Sequence, residues 1–170
     1  MTRLRVQFAH GLEGSPQGAK ARLLDRHFDA RTPAMDTSDF EACVALQAAS
    51  LEAFGPDVLV GSSFGGAVAV ALLQRGLFAG PTLLLAQAAL RLGLPARLPE
   101  GVHVWLVHGR DDGLIDPEDS RRLARCGSPG RVKLIEVDDD HPLRASVESG
   151  ALLDWVRELA AESTRPQLAR

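Results

Sequence analysis

The chain has 170 residues, of which 45% are hydrophobic and 24% charged, and its formal net charge is -3. That length suits one domain with a substantial core. The charge is nearly balanced, with no basic stripe and no acidic tail, which argues against nucleic acid or a strongly charged partner. Cys43 and Cys126 share no metal-ligand spacing and form no disulfide framework. No uncharged apolar run reaches the ~18 residues of a membrane helix, and the N-terminus carries no signal-peptide pattern, so a cytoplasmic location is expected.

Strand and helix patterns alternate along the chain. LRVQFA (4–9) reads as a first strand. The segment 15–28 reads as a helix, with Ser15 as N-cap and Pro16 at the first helical position. Residues 29–32 suggest a short edge strand. The segment 38–54 predicts a helix in which Ser38 and Glu41 form a capping box. DVLVGS (57–62) is a buried strand, and a helix follows from about Phe64 to Arg75. Strands are expected at 81–86, 102–109 and 131–137. A helix at 116–126 has Asp116 as N-cap and Pro117 at the first position. A closing helix spans 145–163. Residues 1–163 then form the domain, and 164–170 a polar tail.

About six strands joined through helices predict an α/β fold: a three-layer α/β/α sandwich around a mostly parallel sheet. Ligands in such folds sit beyond the carboxyl ends of the strands. Four of those ends carry polar motifs: HGLEGSP (10–16), GSSFGG (61–66), HGRDDGLIDP (108–117) and DDDHPL (138–143).

The second of these fits G-x-S-x-G through Gly61, Ser63 and Gly65. A chance match somewhere in such a chain has a probability of roughly 9%, so the weight rests on its setting. Directly after a buried strand and opening a helix, the motif is a nucleophile elbow: a tight turn lifts the serine hydroxyl above the sheet, and only small neighbours fit beside it. A serine nucleophile needs a base, and the base needs an acid to orient it. His141 follows the last strand and is the candidate base. His10 and His108, each before a glycine, are expected to shape their turns. Asp112 is the preferred acid, Asp111 is the runner-up, and Asp116 serves better as a cap. The run Asp138 to Asp140 reads as a solvated turn, one member of which could approach His141.

With these motifs in the order Ser63, Asp112, His141, the chain resembles a minimal α/β-hydrolase, similar to compact bacterial serine esterases with little or no lid. The resemblance implies the H-G-x-x-D acid at Asp112. It also implies an oxyanion hole from the backbone N–H groups of Leu12, beside Gly11, and of Phe64. Glu13 is expected to turn away from that hole. The larger relatives carry two further N-terminal strands. Residues 87–101 are too few for a lid domain, although Arg91 and Arg97 could border the site. The expected activity is hydrolysis of carboxylic esters or thioesters of small or exposed acyl groups, without metal or organic cofactor. The expected partner is that small-molecule substrate, not nucleic acid or a membrane. Two alternatives stand beside this reading: a hydrolase-like scaffold that only binds, and a nucleotide binder using GSSFGG as a phosphate loop.

Overall fold

Apolar side chains alternate along the inner strands and sort into two cores. Val58 and Val60 face one side of the sheet while Leu59 faces the other, and Trp105 and Val107 oppose Val104 and Leu106 in the same way. The computed structural model describes residues 2–166 and places these strands in one sheet. Its elements are β1 (Arg5–Ala9), α1 (Ala19–His27), β2 (Asp29–Arg31), α2 (Phe40–Phe54), β3 (Val58–Ser62), α3 (Phe64–Gln74), β4 (Thr82–Leu85), β5 (Val104–Gly109), α4 (Pro117–Ala124), β6 (Val132–Val137), α5 (Arg144–Glu148) and α6 (Ala151–Ser163).

The six strands run in the order β2-β1-β3-β4-β5-β6, and every neighbouring pair is parallel. Helices α2, α3 and α4 contribute to the core on one face, and α1 and α6 to the core on the other. This is the expected three-layer α/β arrangement. Burial on both faces explains why β3, β4 and β5 are enclosed along their whole length.

Three helix boundaries differ from the sequence reading. The Ser15-Pro16 signal predicts a helix from residue 15, but α1 begins at Ala19 with Gly18 as its N-cap. Ser15 closes a turn instead: its carbonyl accepts Gly18 N–H at 3.0 Å and its Oγ accepts Gln17 N–H at 3.1 Å. In α2 the cap is Asp39, whose carboxylate accepts Ala42 N–H at 2.9 Å, while Ser38 turns to Asp36. The predicted closing helix breaks into α5 and α6 at Gly150, which adopts φ +83°. Of the expected polar tail, residues 164–166 follow α6 and 167–170 lie outside the described residues. No helix among the described residues is long and apolar enough to cross a membrane.

Candidate active site

Ser63 sits between β3 and α3 with φ 53° and ψ -114°. Left-handed backbone at a residue other than glycine is strained, by about 1–3 kcal/mol, and persists only where the surroundings enforce it. Here they do. Ser63 N–H is bound to Leu85 O at 2.9 Å, and Ser63 O accepts Ala67 N–H at 3.1 Å and Ala88 N–H at 3.0 Å. The flanking glycines allow the close packing around the turn. A methyl group at Gly61 would stand 2.6 Å from Gly65 O, and one at Gly65 would collide with Ala9 O and lie 2.5 Å from His10 O.

His141 follows β6, and its loop is held from below. The run Asp138 to Asp140 is not uniformly solvated. Asp138 is exposed and ion-paired with Arg110, whereas Asp139 is buried and accepts Asp140 N–H, Ala145 N–H, Ser146 N–H and the Ser146 hydroxyl. Burial pushes the Asp139 carboxyl up, but the hydrogen bonds from Ser146 and its neighbours outweigh it and hold the pKa below 3.8. Lys20 of α1 reaches across and donates to Pro142 O at 2.6 Å. Its own pKa is lowered by burial, against the pull of Asp140 and Asp139.

The side chains expected to cooperate meet above the carboxyl ends of β3, β5 and β6. The Ser63 hydroxyl donates to His141 Nε2 at 3.0 Å, and His141 Nδ1–H donates to Asp112 Oδ2 at 2.7 Å. The Asp112 side chain is fully enclosed, and that of His141 is 16% exposed. Burial alone would raise the Asp112 pKa. Hydrogen bonds from Ile115 N–H, the His141 ring and Leu114 N–H prevail, so the carboxyl stays below 3.8 and ionised at neutral pH. Asp111 is exposed, and Asp116 caps α4 through Glu118 N–H at 2.9 Å.

Leu12 and Gly11 lie on the loop after β1, and Phe64 is the first residue of α3. Among the described turn and loop bonds, neither Leu12 N–H nor Phe64 N–H has an acceptor. His10 does shape its turn: Nδ1–H bonds Gly11 O at 2.9 Å and Nε2 accepts Met35 N–H at 3.0 Å. A pocket of about 380 Å³ opens beside Ser63, walled by Phe8, Leu12, Ala21, Leu114, His141 and Pro142. Glu13 is exposed at that pocket. The 87–101 segment forms turns and does not line it, so Arg91 and Arg97 are not on its border. Leu94 and Leu98 instead pack against the core on the α3 face.

The sequence reading gave His108 only a turn-shaping role and left Gln87 unremarked. His108 is fully buried and lies 3.1 Å from Asp112. Its spacing of four residues from Asp112 was the one signal that could have drawn attention to it.

Solved structures share this architecture. A protein from Xanthomonas campestris pv. campestris assigned to the α/β-hydrolase superfamily is 23% identical with a TM-score of 0.73, the match covering 96% of this chain and 98% of that one. This chain has the α/β-hydrolase fold. A protein from Agrobacterium vitis S4 assigned as a hydrolase matches with a TM-score of 0.75 at 16% identity, over 93% of this chain and 88% of that one. A monoacylglycerol lipase from Paleococcus ferrophilus matches with a TM-score of 0.71 at 15% identity, over 93% and 94%. In sequence, the chain is 31% identical over 144 residues to a ferredoxin–NADP reductase of Gluconacetobacter diazotrophicus (strain ATCC 49037), a match covering 79% of this chain. The match spans 41% of that curated relative's length. No family model matches.

Proposed function

We propose that the chain is a serine hydrolase of carboxylic esters or thioesters with small or exposed acyl groups. One observation carries the reading: His141 accepts from the Ser63 hydroxyl on one ring nitrogen while its other nitrogen donates to buried, ionised Asp112. That arrangement gives the imidazole the tautomer a general base needs. Ser63 Oγ attacks the acyl carbonyl as His141 Nε2 takes its proton. His141 then returns the proton to the leaving group, and Asp112 stabilises the imidazolium. The N–H groups of Phe64 and Leu12 receive the developing oxyanion, a contribution of roughly 3 kcal/mol per donor. Water, deprotonated by the same histidine, cleaves the acyl-enzyme and releases the acid. The pocket beside Ser63, about 380 Å³ and partly walled by Leu12 and Leu114, suits a short acyl group. Both leucines are largely exposed, which fits a substrate that approaches without a lid.

Ser63→Ala should keep the fold and lose at least about a thousandfold in turnover of a short activated ester. Near-normal turnover would dismiss Ser63 as nucleophile. A serine-directed phosphonate should label Ser63 in the wild type, and folded protein that resists it would favour the scaffold that only binds. The likeness to a ferredoxin–NADP reductase favours one second reading, a nucleotide-binding domain. That reading requires NADP(H) to raise the Tm of both the wild type and Ser63→Ala.

A further inference from the structure

Asp112 has a second histidine on the oxygen that faces His141. His108 is the next-to-last residue of β5, and its side chain is 0% exposed. Its Nε2 lies 3.1 Å from Asp112 Oδ2 and 3.0 Å from Ile115 O. Both neighbours are acceptors, so Nε2 carries a proton, which it donates to Ile115 O. On the far side of the ring, Nδ1 lies 2.7 Å from Ser120 Oγ, on α4. Ser120 Oγ in turn accepts from Gln87 Nε2 at 3.1 Å. The Gln87 amide has only one good orientation, because its Oε1 accepts Ala89 N–H at 2.8 Å. Ser120 therefore gives its own proton to His108 Nδ1. The donors run one way, from Gln87 through Ser120 and His108 to Ile115 O beside Asp112, and the side chains of Gln87, Ser120, His108 and Asp112 are wholly buried.

The Asp112 carboxylate is fully used. Oδ1 accepts Leu114 N–H at 2.8 Å and Ile115 N–H at 2.9 Å. Oδ2 accepts His141 Nδ1–H at 2.7 Å and lies 3.1 Å from His108 Nε2, whose own proton goes to Ile115 O. Turning the carboxylate about its Cβ–Cγ bond would break all four contacts.

We propose that His108 is a positioning residue of the hydrolytic site: its Nε2–H, bonded to Ile115 O, fixes the turn whose Leu114 and Ile115 N–H groups grip Asp112, and so keeps Asp112 in line with His141 and the imidazole set against Ser63. It touches no substrate. The inference rests on the hydrolase reading above, and its test separates the two.

In His108→Leu the donor is gone. Turnover of a short activated ester should fall about ten- to a hundredfold, with KM within about twofold, because orientation of the reacting groups is lost and substrate binding is not. The low-field proton NMR signal of the His141 Nδ1–H bond should move or broaden, a readout that needs no activity. In His108→Gln an amide N–H can reach the position of Nε2, and most of the turnover and the signal should return. Folded His108→Leu with wild-type kcat and an unmoved signal overturns the proposal, as does a His108→Gln no better than His108→Leu. Should His108→Leu fail to fold, Ser120→Ala decides. It removes the hydroxyl that orients the ring and should lower kcat about three- to tenfold, again with KM held; an unchanged kcat overturns the proposal. Wild-type protein that is folded yet resists the phosphonate sinks the hydrolase reading itself, whereas labelled wild type beside an unaffected His108→Leu sinks only the role of His108.

Discussion

Gly65→Ala tests whether the serine turn and the loop after β1 are as tightly interlocked as their packing implies. The added methyl would collide with the carbonyl of Ala9 and approach His10 O to 2.5 Å. Relieving that second contact alone means withdrawing the His10 loop by about 0.9 Å, to the 3.4 Å at which ordinary contact begins. Both partners are backbone, so no flexible side chain can give way. Overpacking of this kind costs about 2–3 kcal/mol. For a chain of this size that lowers Tm by about 4–10 °C. The loop that must move also carries Leu12 N–H, so a displacement near 1 Å should lower turnover about a hundredfold. Thermal melts followed by circular dichroism, with turnover of an activated short ester on the folded fraction, measure both effects. A variant that melts within about 1 °C of wild type and keeps its turnover would refute the packing argument.

Acid should weaken the fold through Asp139 and Asp112. Both carboxyls are held below 3.8 in the folded chain, so the stability they contribute is full above that pH and fades as pH falls below it. Asp139→Ala leaves the N–H groups at the start of α5 without their acceptor. It should cost about 2–3 kcal/mol at neutral pH in denaturant titration and give a shallower loss of stability in acid than the wild type. At Gly113, by contrast, an added methyl meets nothing within 4 Å and φ lies outside the left-handed region. Gly113→Ala should therefore raise stability by about 0.4–1 kcal/mol, measured the same way, by restricting the unfolded chain.

The inner strands were legible because burial on both faces leaves continuous apolar runs such as VLVGS. The serine turn was legible because its geometry demands small residues at fixed positions. The errors fall where two local signals compete or where the deciding contact is distant. Ser15-Pro16 satisfies helix-start rules as well as turn rules, and the turn prevails with Gly18 two residues on. Ser38 and Asp39 are both good caps, and Asp39 is the one whose carboxylate reaches Ala42 N–H. Gly150 inside an apolar period reads as a tolerated helix residue, yet its left-handed backbone separates two helices. Three consecutive aspartates look alike in sequence. Only the fold turns Asp139 under α5 while Asp138 meets Arg110. The buried partners of His108 were hidden for the same reason. Its neighbours Gln87 and Ser120 stand 21 residues before it and 12 after it, and only the packing of α4 on β5 unites them.

Strand β6 closes one margin of the sheet, and its residues are only partly covered, while β5 beside it is enclosed throughout. The imidazole at 141 hangs from that margin, and its hydroxyl partner is 78 positions earlier in the chain. Brief fraying of the outermost strand costs less than global melting. Such fraying would part the two groups while the rest of the sheet stays assembled, so the proposed hydrolysis would be lost well before the molecule denatures.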